Sequence, residues 1–101
     1  MRKIRRLPPV HPGDSLHYDQ MKPSALSING LAREPRVPVT RMSETVNGRR
    51  SITADTALRL ARYFGTAPQF WMNLQAAYDL DVAARVSATR IARDVHPREA
   101  A

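Results

Sequence analysis

Pro35 and Pro38 stand in the middle of a stretch whose apolar residues otherwise recur at helical spacing. A proline ring inside a helix removes a backbone donor and clashes with the preceding turn, so no single helix can run from residue 28 to residue 47. The chain must instead make two short helices joined by a tight turn. Ser27 is suited to start the first, with Ile28, Leu31 and Ala32 on its inner face. Val37 and Pro38 open the second, where proline is tolerated in the first turn. Met42 and Val46 lie four apart on its buried side, and Asn47-Gly48 supplies a left-handed stop.

The same grammar governs the flanks. In "SITADTALRLARYFG", Thr53 is a cap, Ala57, Leu60, Ala61 and Phe64 repeat on one face, and Gly65 ends the helix. Asp55 and Arg59 form an i, i+4 pair on its outer face. In "TAPQFWMNLQAAYDL", Thr66 is the expected cap and Pro68 lies in the first turn. Phe70, Trp71, Leu74, Ala77 and Tyr78 make a broad apolar stripe there, with Trp71 as the anchor. Such a stripe, with no converging polar groups, reads as core or dimer interface rather than as a ligand site. "HPGDSLHYDQMKP" predicts a short helix capped by Gly13 or Asp14, with Leu16 and Met21 inward and an end before Pro23. No strand-like alternation, internal repeat or low-complexity block is present, so the expected fold is all-α with five or six helices. Residues 1–10 read as a basic flexible arm, 11–80 as the folded domain, and 81–101 as a helical extension ending in a frayed tail.

One domain suits a chain of 101 residues with 43% hydrophobic and 25% charged content. The sequence has no cysteine, so it needs no oxidising compartment, and its charged N-terminus lacks the apolar run of a signal peptide. A cytoplasmic protein with no membrane span is expected. His11, His17 and His96 are scattered, without partners at metal-site or triad spacing, and no glycine-rich phosphate loop occurs. The expectation is therefore a non-enzyme with no metal and no cofactor.

Charge points to the partner. The formal net charge is +7 and the isoelectric point about 11.0, which favours a polyanion. The arginines cluster: Arg2, Arg5 and Arg6 with Lys3 at the start, then Arg33, Arg36, Arg41, Arg49 and Arg50 around the paired helices. Two helices joined by a turn, the second amphipathic with a polar outer face, make the helix-turn-helix that enters a DNA major groove. Its outward residues would be Val39, Thr40, Arg41, Ser43, Glu44 and Asn47. Arginine can grip guanine with two hydrogen bonds, asparagine can read adenine, and valine or a threonine methyl can touch thymine. Ser27, Arg36, Arg49 and Arg50 fit phosphate contacts that position the protein without reading sequence. Arg2, Lys3, Arg5 and Arg6 could follow the backbone or enter a minor groove, an uncontacted terminus being the alternative.

The segments "HPGDSLHYDQMKPSALS" and "VPVTRMSETVNGRRSITADTALRLARYFGTAPQFWMNLQAAYDL" resemble the HigA-type, or VapI-like, antitoxins of the Xre/Cro-like helix-turn-helix superfamily. The likeness spans residues 11 to about 85. It implies a compact lambda-repressor-like domain, a homodimer on a palindromic operator in its own promoter, autorepression, and neutralisation of a RelE-like HigB ribonuclease toxin. The departures lie in the paired helices. Family members usually carry glutamine at the start of the first motif helix, leucine then glycine at the turn, and an aliphatic residue in the second helix. This chain has Ile28, Pro35, Arg36 and Thr45 at those places. Ile28 cannot make glutamine's phosphate contact, and Arg36 resists the left-handed geometry glycine takes freely. Two other readings follow: a toxin-binding or self-associating module with weakened DNA binding, and a solitary Xre-type regulator without a toxin.

Overall fold

The computed structural model describes residues 8–99, and the regular structure among them is entirely helical. The elements are α1 (Pro12–Ser15), continued by a wider helical segment over Leu16–Met21, then α2 (Ile28–Arg33), α3 (Val39–Val46), α4 (Ala54–Phe64) and α5 (Pro68–Asp94). α2 packs on α3, α4 on α5, and α1 bridges α3 and α5. No helix of the described residues is long and apolar enough to cross a membrane.

Helix starts follow the sequence signals at Ser27 and Thr53, whose hydroxyls accept from the amides of Gly30 and Thr56. Pro38 caps α3 from outside, with ψ of 138°, instead of sitting in its first turn. Two further starts correct the expectation. α1 is capped not by Gly13 or Asp14 but by His11, whose Nδ1 accepts from the Gly13 amide at 2.9 Å. α5 is capped not by Thr66 but by Ala67, which has no side-chain acceptor to offer. The cause is shared. Pro12 and Pro68 have φ already set for a helix and no N–H to leave unpaired, so each takes the first helical position and makes the residue before it the cap.

The four helix stops before that of α5 share one device. The amides of Leu26, Val37, Arg49 and Thr66 each reach back five residues, to the carbonyls of Met21, Ala32, Glu44 and Ala61. This closure requires a left-handed residue one position before the donor. Gly48 and Gly65 fill that role with φ of 77° and 71°, while Ala25 and Arg36 fill it with φ of 53° and 62°. A side chain in this region costs about 1–2 kcal/mol. Arg36 carries the strain expected of it.

Trp71 is fully buried, with Leu16, Leu31, Ala32, Met42, Ala57 and Leu60 around it in the same core. Its indole N–H donates to Thr66 Oγ1 at 2.8 Å, which gives Thr66 a role other than the one expected. Gln75, one turn further on, is buried in the same face of α5. Its Oε1 accepts from the Ile52 amide at 2.8 Å, and its Nε2 donates to Ser51 and Asp79. Gly13 brings α1 against the end of α3 so closely that a Cβ there would overlap the Thr45 carbonyl oxygen and lie 2.7 Å from that of Val46. α5, with 27 residues, runs on past this body, and Leu80, Val86 and Ile91 along it are more than half exposed. The principal extents of 51 × 35 × 23 Å reflect that projection.

Candidate nucleic-acid interface

α3 owes its placement to three buried residues. Met42 is fully enclosed, Thr45 is 1% exposed and Val46 8%. Thr45 stands where an aliphatic residue was expected, and its hydroxyl is satisfied within the helix by donating to the Arg41 carbonyl at 3.0 Å. The substitution therefore buries no unpaired group. Leu31, Ala32 and Val37 complete the seat under α3, Pro35 is buried in the turn, and Ile28 packs partly against the core. The anchors turn the opposite flank outward. Val39, Thr40 and Asn47 are exposed, while Arg41, Ser43 and Glu44 are partly so.

The predicted base-facing residues thus share one side of one helix, though not all are unengaged. Arg41's guanidinium and Thr40's hydroxyl have no hydrogen-bond or ion-pair partner among the described residues. Asn47 donates to the Ser43 carbonyl at 2.9 Å, a contact that closes the helix end. Glu44 is held by Arg50 at 3.0 Å, so a carboxylate on this face has its charge offset by a neighbour from the following loop. Of the residues expected at phosphates, Ser27 is exposed while capping α2. Arg49 and Arg36 present exposed side chains, and Arg50 is divided between solvent and Glu44. Between residues 33 and 50 the sequence has five arginines against two glutamates. Arg2, Lys3, Arg5 and Arg6 lie outside the described residues.

Within the aromatic stripe, Trp71 is core, Leu74 and Tyr78 are partly buried, and Phe70 is 43% exposed with its ring edge-on to Trp71. Tyr78 meets His11 edge to face at 4.8 Å. Burial holds the His11 imidazole below the ordinary histidine range, against the opposing pull of Asp14 and Asp79. A neutral ring is what its cap requires, since Nδ1 must keep a lone pair to accept from Gly13.

Sequence reasoning missed two polar anchors. Gln75 gave no signal because a lone glutamine in an apolar stripe looks like a surface residue. Arg59 was visible only as the partner of Asp55. The structure shows its Nε on both Asp55 oxygens, at 3.0 and 3.1 Å, and its Nη1 on the carbonyls of Arg36 at 3.2 Å and Pro35 at 3.4 Å. It ties α4 to the turn that leads into α3.

No protein-family model matches the chain. It is 49% identical over 77 residues to virulence-associated protein I of Dichelobacter nodosus, covering 76% of this chain and 71% of that relative. An addiction module antidote protein of the HigA family from Coxiella burnetii is 46% identical with a TM-score of 0.87, covering 91% of this chain and 100% of that one. The antitoxin HigA of Pseudomonas aeruginosa, solved with the higBA promoter, is 37% identical with a TM-score of 0.87, covering 90% and 99%.

Proposed function

The chain belongs to the HigA-type antitoxin family, and we propose that it is the DNA-binding antitoxin of a toxin-antitoxin operon, acting as transcriptional autorepressor. The observation that carries this reading is the division of α3, with Met42, Thr45 and Val46 sealed in the core and a polar flank left outside beside a cluster of arginines. The P. aeruginosa relative bound to promoter DNA supports it. In this reading Val39, Thr40, Arg41, Ser43, Glu44 and Asn47 face the bases, and Ser27, Arg36, Arg49 and Arg50 contact phosphates. The cytoplasmic protein is a homodimer that sets its two copies of α3 in successive major grooves about 34 Å apart on a palindromic operator. Its second partner is a RelE/HigB-like ribonuclease toxin, which it neutralises by binding and not by any chemistry of its own.

The test is fluorescence anisotropy on the duplex upstream of the gene. Arg41→Ala should weaken operator binding by roughly 1–3 kcal/mol and relax one base position. Equal loss on random DNA would remove Arg41 from base readout. One observation favours the rival module with weakened DNA binding: Arg36 sits at φ 62° in the turn itself. A parent protein with no preference for its own upstream DNA, yet still protecting cells from a neighbouring toxin gene, would establish that rival.

A further inference from the structure

We propose that Arg59, carried by α4 and outside the DNA-facing flank, is a positioning residue for DNA recognition: it clamps the strained turn at Arg36 and so sets the entry of α3. The inference rests on the DNA-binding reading above.

Three observations converge. First, Arg36 occupies the left-handed stop of α2, where its own amide donates to Arg33 and the next amide, Val37, donates to Ala32. The strain of a side chain there corresponds to about a ten-fold bias toward other backbone conformations. Second, those amide bonds satisfy the end of α2 but leave the Pro35 and Arg36 carbonyls to find donors elsewhere. Both are taken by the Nη1 of one guanidinium. Third, the same guanidinium is also engaged by α4 itself, its Nε donating to both oxygens of the Asp55 carboxylate at 3.0 and 3.1 Å. Arginine's planar fork is suited to this, since its Nε can donate to one partner while an Nη donates to another. The turn is only three residues removed from Val39, the first residue of α3. A tilt of the turn therefore passes directly into the helix that would lie in the groove. Glycine at position 36 would hold the same geometry without help; arginine there makes the clamp necessary.

The claim is one of coupling, so the test is a cycle. Operator binding is measured for the parent, R59M, R36G and R59M/R36G, at a temperature where circular dichroism shows each fully folded. R59M should weaken operator binding about ten-fold in the parent background and less than about three-fold in the R36G background, because glycine removes the strain the clamp opposes. Loss of a phosphate contact by R36G cancels within the cycle. A role confined to global stability would leave the affinity of the folded protein unchanged and show no rescue. Should R59M fail to fold, D55N takes its place, freeing the guanidinium while keeping it. An equal loss in both backgrounds, or none in either, overturns the clamp. Should the parent fail to prefer its upstream DNA, the DNA reading fails by itself. The clamp is then read from melting temperatures, where R59M must again cost more beside Arg36 than in the R36G background.

Discussion

Adding one methyl group to Gly13 sets two effects against each other. Alanine is the better helix former, by about 1 kcal/mol in a helix interior and less in the first turn, where Gly13 sits. Against this, the new Cβ would overlap the Thr45 carbonyl oxygen and approach the Val46 carbonyl to 2.7 Å. Both obstacles are backbone atoms of α3, so no rotamer change can move them away. α1 must instead lift off the end of α3. Overpacking of a rigid site costs about 1–3 kcal/mol, and with backbone on both sides the upper part of that range applies. The net expectation for Gly13→Ala is a loss of about 2 kcal/mol. In a domain of this size each kcal/mol moves the melting temperature by roughly 4–8 °C, so thermal unfolding followed by circular dichroism should show a fall of about 8–16 °C. Operator affinity should fall as well, even far below the melting point, because the seat of α3 has been disturbed. Gly65→Ala is the comparison: it has open space around its Cβ but a φ of 71°, and should cost only about 1 kcal/mol, leaving α3 alone. A G13A protein that melts at or above the parent's temperature would refute the argument that α1 is pressed directly onto α3.

Thr66→Val keeps the shape of the residue but leaves the Trp71 indole N–H without its acceptor. It should destabilise by about 1–3 kcal/mol and shift the emission of the chain's single tryptophan, both absent if the bond contributes nothing. Gln75→Leu strands the buried Ile52 amide and should lower the urea midpoint by a comparable free energy despite adding apolar surface. An unchanged midpoint would mean that the loop before α4 does not depend on Gln75. His11, held below its ordinary value of 6.5 by burial, binds protons more readily in the unfolded chain. Its contribution is therefore whole above 6.5 and is lost as pH falls from there through the lower folded value. His11→Asn keeps a cap acceptor without the titration, so its unfolding free energy should fall less between about pH 7.5 and pH 5.5. Equal slopes would exclude His11 as the source.

Where a signal was local, the sequence announced it. Thr53, the apolar repeat to Phe64, and Gly65 mark α4 completely, and Met42 with Val46 was enough to say which flank of α3 faces out. The strain at Arg36 was legible too, through the family likeness, because a turn built for glycine keeps its dihedral angles when another residue occupies it. The illegible contacts are of two kinds. Some use an unusual donor or acceptor for the task, as when an imidazole nitrogen caps α1, a role associated with serine, threonine, asparagine and aspartate. Others join residues far apart in the chain: Gln75 to Ile52, and Arg59 to carbonyls at Pro35 and Arg36. Periodicity describes which face of a helix is wet, not what will be standing opposite it. Pro12 and Pro68 fall between these cases. Their meaning is readable, because the fixed φ of the ring outranks a familiar capping residue beside it.

The last turns of α5 lie beyond the reach of the other helices, exposed on nearly every residue from Ala83 to Asp94. A free-standing helix of that length is marginal in water, so its order derives from continuity with the first turns of α5, which Trp71 and Gln75 anchor. Amide exchange should consequently quicken along α5 from Gln75 toward Asp94, and a substitution that loosens Trp71 should fray the far end before it melts the body.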